Sequence, residues 1–265
     1  LIGIDLDGTL VQDSDQVSPR NLAAIRAALE QGVTVAIATG RPHISAEKFV
    51  HRLGLGDTPI ISFNGAMVRH PDNPKPLLEV PVPADLAADI VRYCVDRRLH
   101  IHYYLGDTMY VTRVSHWARL YEARTGITPV PVGDMRAFDG REPIKILVCV
   151  PPEEAPAVLA ESQRYYGDRL LVTRSMPEYV EFLNRDAGKG KALVWLAAHL
   201  GVPVEQTMGM GDMLNDLELV QMSGFGVAMA HAQDPVKAAA DYVAASGPDG
   251  VADAIEKFVL RPGDR

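Results

Sequence analysis

Four short polar clusters sit at or beside the ends of apolar runs. Asp5-Leu6-Asp7-Gly8-Thr9-Leu10 follows Leu1-Ile2-Gly3-Ile4, and Thr39-Gly40-Arg41 follows the run at 33–38. Gly211-Asp212-Met213-Leu214-Asn215-Asp216 follows the run at 206–210, and Lys189-Gly190 stands just ahead of a helical stretch at 191–200. If the apolar runs are strands of one parallel sheet, all four clusters collect at the strands' carboxyl ends, where open α/β sheets bind ligands. An edge gathering three acids, a hydroxyl and a lysine is a chemical arrangement rather than a folding device. Two unit charges about 4 Å apart repel by roughly 4 kcal/mol at an effective dielectric near 20. Asp5, Asp7 and Asp212 therefore call for a cation. A hard divalent ion with oxygen ligands suits them, and Mg2+ held by a few carboxylates plus a substrate phosphate fits best. Thr39, Lys189 and Asn215 then read as donors to phosphate oxygens.

The elements that must position these groups alternate in type. The stretch 18–31 has helical spacing, with Ser18 as N-cap and Pro19 at the first helical position. The continuous apolar run at 33–38 is the pattern of a parallel strand buried on both faces. A helix at 44–53 and a strand at 59–63 follow. Five prolines between Pro71 and Pro83 mark a boundary. From 84 to 183, paired short strands (100–104 with 109–112, 170–173 with 179–183) predict an antiparallel sheet with helices on one side. The last third returns to strand–helix alternation. The expected architecture is α/β: a doubly wound parallel-sheet core from residues 1–81 and 185–265, with an inserted α+β cap domain at 82–184.

Composition narrows the function. Over 265 residues the formal net charge is −8, which argues against a nucleic-acid surface but not against a local anion site. No apolar run reaches membrane-spanning length. Cys94 and Cys149 lack metal-ligand spacing and read as small core residues. The opening segment lacks the basic stretch of a signal peptide, so a reduced cytoplasm is the default expectation. The expected partner is a small phosphorylated metabolite, with no nucleic acid or membrane, and the protein is expected to be a monomer or small homo-oligomer.

The four clusters together resemble the four motifs of the haloacid dehalogenase superfamily. The insertion between the second and third, the Ser62-Phe63-Asn64-Gly65-Ala66 segment and Gly226-Val227-Ala228-Met229 resemble its Cof-type (subfamily IIB) sugar-phosphate phosphatases. The resemblance implies Mg-dependent hydrolysis of a small phosphate monoester through an aspartyl-phosphate. It makes Asp5 the nucleophile and Asp7 the acid/base. Asp5, the Asp7 carbonyl and Asp212 become the metal ligands. The phosphate falls to Thr39, Lys189, Asn215 and the amides of Leu6 and Gly40, with Asp216 orienting Lys189. Mutases of the superfamily share these motifs, so a phosphosugar mutase is one alternative and a non-catalytic sugar-phosphate-binding regulator another. A dehalogenase has no use for Asp7 or the metal.

Other residues carry two readings each. Arg41 contacts ligand or cap, or is a solvated helix-start arginine. Lys191 reads as a surface neighbour of Lys189. His100 and His102 share a strand face, as a metal pair or as hydrogen-bonded sheet residues. His231 lines the site rim or fills a turn.

Overall fold

The computed structural model describes residues 1–12 and 15–260. The chain forms two compact units, Leu1–Leu77 with Gly188–Arg265, and Leu78–Ala187. The second unit is wider than the 82–184 expected from composition. Its flanks are stitched to it by hydrogen bonds: Asn184 Nδ2 donates to the Pro81 carbonyl at 2.7 Å and Val82 N to the Pro143 carbonyl at 2.7 Å.

The chain begins with β1 (Ile2–Ile4), α1 (Pro19–Glu30), β2 (Val35–Ile37), α2 (His43–Leu53), β3 (Ile60–Ser62) and β4 (Met67–Arg69). The second unit carries β5 (Leu78–Glu79), α3 (Ala84–Arg97), β6 (His100–Leu105), β7 (Thr108–Val111), α4 (His116–Thr125) and β8 (Val130–Pro131). It continues with β9 (Lys145–Cys149), α5 (Ala155–Tyr166), β10 (Leu170–Thr173) and β11 (Tyr179–Asn184). The chain then returns through α6 (Lys189–His199), β12 (Met208–Gly211), α7 (Leu217–Met222), β13 (Phe225–Ala228), α8 (Asp234–Ala239), β14 (Tyr242–Val243) and α9 (Gly250–Phe258).

The first unit is built on a parallel sheet of order β14-β13-β12-β1-β2. β1 lies between β12 and β2, in the register Ile2↔Met208 and Ile2↔Val35. Ile2, Ile4, Val35, Ile37, Met210 and Val227 are buried with Ile25 of α1, Phe49 of α2 and Ile255 of α9. Burying each such aliphatic side chain contributes about 1.5–3 kcal/mol. Gly3, Gly209 and Gly226 stand in register as a stripe across the sheet. A Cβ on Gly209 would lie 2.3 Å from the Leu219 carbonyl oxygen, so the stripe is what lets α7 sit close. α1 starts as its sequence predicts. Ser18 caps the Asn21 amide at 3.1 Å, and buried Asn21 bonds the Pro248 carbonyl and the Ala252 amide, tying α1 to the start of α9.

β3 departs from the expected third core strand. Among the described residues it joins the parallel sheet through the parallel Ala38↔Ile61 bridge and pairs antiparallel with β4. Its three residues leave Phe63 and Asn64 to turn the chain at positive φ, which ends any longer ladder.

The second unit is a six-stranded sheet of order β10-β11-β9-β6-β7-β8, antiparallel except for the parallel β7–β8 pair. One face (Ile101, Tyr103, Ile146, Val148, Val180, Phe182) packs against Leu86, Ile90 and Val91 of α3. Helices were expected on this side alone. α4 instead lies on the other face, where the Tyr121 ring meets His102, Tyr104 and Tyr179 at 4.9, 6.2 and 5.7 Å. Among the described residues no helix is long and apolar enough to cross a membrane.

Candidate active site

Because β1, β2 and β12 run parallel, their carboxyl ends deliver Asp5, Thr39 and Asp212 to one edge of the sheet. Asp5 extends β1 by one hydrogen bond, from its amide to the Met210 carbonyl at 3.0 Å. The chain then turns tightly. Gly8 N donates to Val11 O at 2.8 Å and Val11 N to Leu6 O at 2.9 Å. Gly8 has φ +95°, and a Cβ there would lie 2.5 Å from Asp212 Oδ2, so the turn needs glycine on both counts. Thr9 Oγ1 donates to Asp212 Oδ1 at 2.8 Å, fixing that carboxylate.

Lys189 is the first residue of α6, not a residue ahead of it. Its buried ammonium donates to Asp5 Oδ1 and to Asp216 Oδ1, both at 2.6 Å. Asp216 Oδ2 accepts the Asp212 and Met213 amides at 3.0 Å each. Asp5, Asp212 and Asp216 offer oxygens within 4.8 Å of one another. The burial and crowding show in the acidity of Asp5 and Asp212. Burial, then Asp216, hold Asp5 well above the ordinary carboxylate range, although Lys189 pulls the other way. Burial and Asp216 push Asp212 up to about 6, against the Thr9 hydrogen bond. Burial lowers Lys189, but the Asp216 and Asp5 carboxylates outweigh it and keep the ammonium charged. The third carboxylate of this cluster is Asp216, beside the Lys189 ammonium; the Asp7 role implied by the resemblance runs through its backbone carbonyl and does not need its side chain there. The Asp7 side chain is turned to Arg41, which donates Nε to Oδ2 at 2.8 Å and Nη2 to Oδ1 at 2.5 Å.

The loop after β2 is pinned to the loop after β3. Thr39 N donates to Ile61 O at 2.8 Å, Asn64 N to Thr39 O at 2.9 Å and Phe63 N to Arg41 O at 3.0 Å. Asn64, at φ +55°, accepts Asn215 Nδ2 on its Oδ1 at 3.0 Å, and a Cβ on Gly40 would lie 2.9 Å from that oxygen. Asn64 thus joins Gly40 to Asn215. Neither Asn64 nor Thr9 carries a role of its own in the motif resemblance. The signal for Asn64 was present: Asn-Gly after an apolar run is the pair that tolerates positive φ. The signal for Thr9 was a hydroxyl inside the first acidic cluster.

The remaining residues sort by distance. His231 reaches the rim, with Nε2 2.8 Å from the Gly8 carbonyl oxygen and 3.8 Å from Asp212 Oδ2. Lys191 lies 3.9 Å from Glu218, half-exposed. His100 and His102 touch edge to face, and His102 Nε2 lies 3.8 Å from Cys149 Sγ. A cavity of about 1320 Å³ lined by Leu1, Thr34, Met208 and Phe225 opens at the strands' amino ends and contains none of the clustered groups.

A parallel sheet with this cluster at its carboxyl edge, interrupted by a second α+β unit, has known counterparts. Residues 2–255 match the haloacid dehalogenase-like hydrolase family, and the chain belongs to it. Within that family it stands with the Cof-type, subclass IIB phosphatases. It is 30% identical to the putative phosphatase YxeH of Bacillus subtilis (strain 168), over 98% of each chain. It is also 30% identical to the 5-amino-6-(5-phospho-D-ribitylamino)uracil phosphatase YitU of the same organism, over 97% of each. Among solved structures, the subclass IIB sugar phosphatase BT4131 matches with a TM-score of 0.82 at 25% identity, over 97% of this chain and 98% of that one.

Proposed function

We propose that the protein hydrolyses a small phosphate monoester, a sugar phosphate or related metabolite, through a phosphorylated Asp5. The observation that carries this reading is the buried cluster of Asp5, Asp212 and Asp216 at the carboxyl ends of β1 and β12, with the Lys189 ammonium bonded to Asp5 and Asp216. The donor set fits Mg2+. Among the described residues no hydrogen bond reaches Asp5 Oδ2 or Asp212 Oδ2, and burial together with the Asp216 charge makes both groups weaker acids than usual, which a bound cation would relieve. Asp5, Asp212 and the Asp7 carbonyl would hold the ion, which when bound neutralises charge on the phosphoryl oxygens. YitU is named for a phosphorylated metabolite, which supports the same substrate class here.

The residues divide the work in two steps. An Asp5 oxygen attacks phosphorus, the bond to the leaving oxygen breaks, and Asp7 gives that oxygen its proton. Asp7, left as the carboxylate, then takes a proton from water as the water oxygen attacks phosphorus. The Asp5–phosphorus bond breaks and inorganic phosphate departs. Thr39, Lys189, Asn215 and the Leu6 and Gly40 amides hold the phosphoryl oxygens, and Asp216 orients Lys189.

A panel of sugar phosphates, nucleotides and phosphorylated cofactors tests this. Steady release of inorganic phosphate is expected with Mg2+ and not after chelation, without a bisphosphate activator. Isomerisation of a sugar phosphate with only traces of free phosphate would replace the reading by a mutase. Full turnover without metal would remove Mg2+ from it.

A further inference from the structure

The acid/base role just proposed for Asp7 leaves open what aims its carboxylate. The side chain is 37% exposed, and among the described residues its only side-chain hydrogen-bond partner is Arg41, which reaches both oxygens. Arg41 is itself fixed at every level. Its amide donates to Thr39 Oγ1 at 3.1 Å and its carbonyl accepts the Phe63 amide at 3.0 Å. Its guanidinium lies over the Phe49 ring at 5.1 Å, and Nη2 donates a second time, to Asp15 Oδ1 at 3.0 Å. Asp15 is anchored in turn from α2: Lys48 Nζ donates to its carboxylate and Arg52 Nη1 to its carbonyl. Arg41 Nη1 is buried with no hydrogen-bond partner, an arrangement that a surface ion pair would not require.

We propose that Arg41 is a positioning residue for the acid step, holding the Asp7 carboxyl in place by its two-pronged contact, with Asp15 holding Arg41. The proposal rests on the phosphatase reading above. A planar fork fixes both the position and the plane of a carboxyl group, which a point charge such as lysine does not. A proton donor must also stand within hydrogen-bond reach of the leaving oxygen. Arg41 touches neither phosphate nor leaving group in this account, so its loss should be felt only where protonation of the leaving oxygen matters.

That gives a readout that a merely structural role would not move. An alkyl phosphate leaves as an alkoxide and needs the proton, whereas p-nitrophenolate leaves as a stable anion without it. kcat/KM reports only steps up to leaving-group departure, so the shared hydrolysis of phosphorylated Asp5 does not enter. The experiment compares kcat/KM for p-nitrophenyl phosphate and for the sugar monophosphate turned over fastest, in wild type, Arg41→Met, Arg41→Lys and Asp15→Asn, with melting temperature as the folding control. Arg41→Met is expected to lower the sugar-phosphate value by about 100-fold and the aryl value by no more than about threefold. Arg41→Lys should recover little of the difference, and Asp15→Asn should show the same bias more weakly. Equal loss on both substrates, no loss on either, or full recovery by Arg41→Lys would each overturn the proposal. Wild-type protein inactive on every phosphate ester would instead overturn the phosphatase reading beneath it.

Discussion

Lys189 offsets two buried carboxylates with one ammonium, and that imbalance makes residue-scale outcomes calculable in direction. In metal-free protein, Lys189→Met leaves Asp5 and Asp216 uncompensated, and a loss of about 3–5 kcal/mol in urea-unfolding free energy is expected. Asp5→Asn should do the reverse. It removes the carboxylate that burial and Asp216 disfavour, so the metal-free variant should melt above wild type while turnover falls at least about 1,000-fold. A variant that melts lower, or that keeps activity, contradicts the reading of Asp5 as a strained nucleophile. The acids were legible in the sequence because each ends an apolar run, but their partnership was not. Which carboxylate faces Lys189 and which faces Arg41 depends on side-chain direction after a tight turn, and spacing along the chain does not encode it. Thr9 and Asn64 were hidden for the same reason, since their partners lie 203 and 151 residues away.

Helices and strands give a second set of expectations. His43 opens α2 fully buried. Burial and the charge of Arg69 push its imidazole down to about 3, although Glu47 Oε1 lies 3.2 Å from Nε2. The folded state therefore binds fewer protons at this site than the unfolded state below pH 6.5, so stability falls as pH drops from about 6.5 toward 3. The full contribution is up to about 5 kcal/mol, and His43→Gln should flatten that part of the pH dependence of the urea midpoint. An identical slope in the variant would assign the acid sensitivity to other groups. Gly209→Ala tests the stripe beneath α7. With backbone 2.3 Å away, the helix must shift, and a loss of about 1–3 kcal/mol in unfolding free energy is expected. Periodicity located nearly every long element, because a buried parallel strand and an amphipathic helix write distinct patterns. It missed the antiparallel pairing of β3 with β4 and the placement of α4, which are set by a positive-φ turn and by aromatic packing on a face whose residues are partly polar.

At the scale of the molecule, two separate cores sit in one chain, one gathered from both ends of the sequence and one from residues 78–187 alone. The excised segment 78–187 should therefore melt cooperatively by circular dichroism without the rest. A gradual, non-cooperative melt would mean that its core is not self-sufficient. The order of the strands has a consequence for how the protein is made. β1 is flanked by β2, which leaves the ribosome soon after it, and by β12, which follows some two hundred residues later. Throughout that interval the nascent chain carries a hydrophobic strand with one edge unpaired, and Asp5 has no lysine beside it. The contiguous insert can fold while the sheet waits. Premature termination after residue 187 and before β12 would release a chain with a finished insert and an open sheet edge, the species of this protein most exposed to aggregation and most in need of a chaperone.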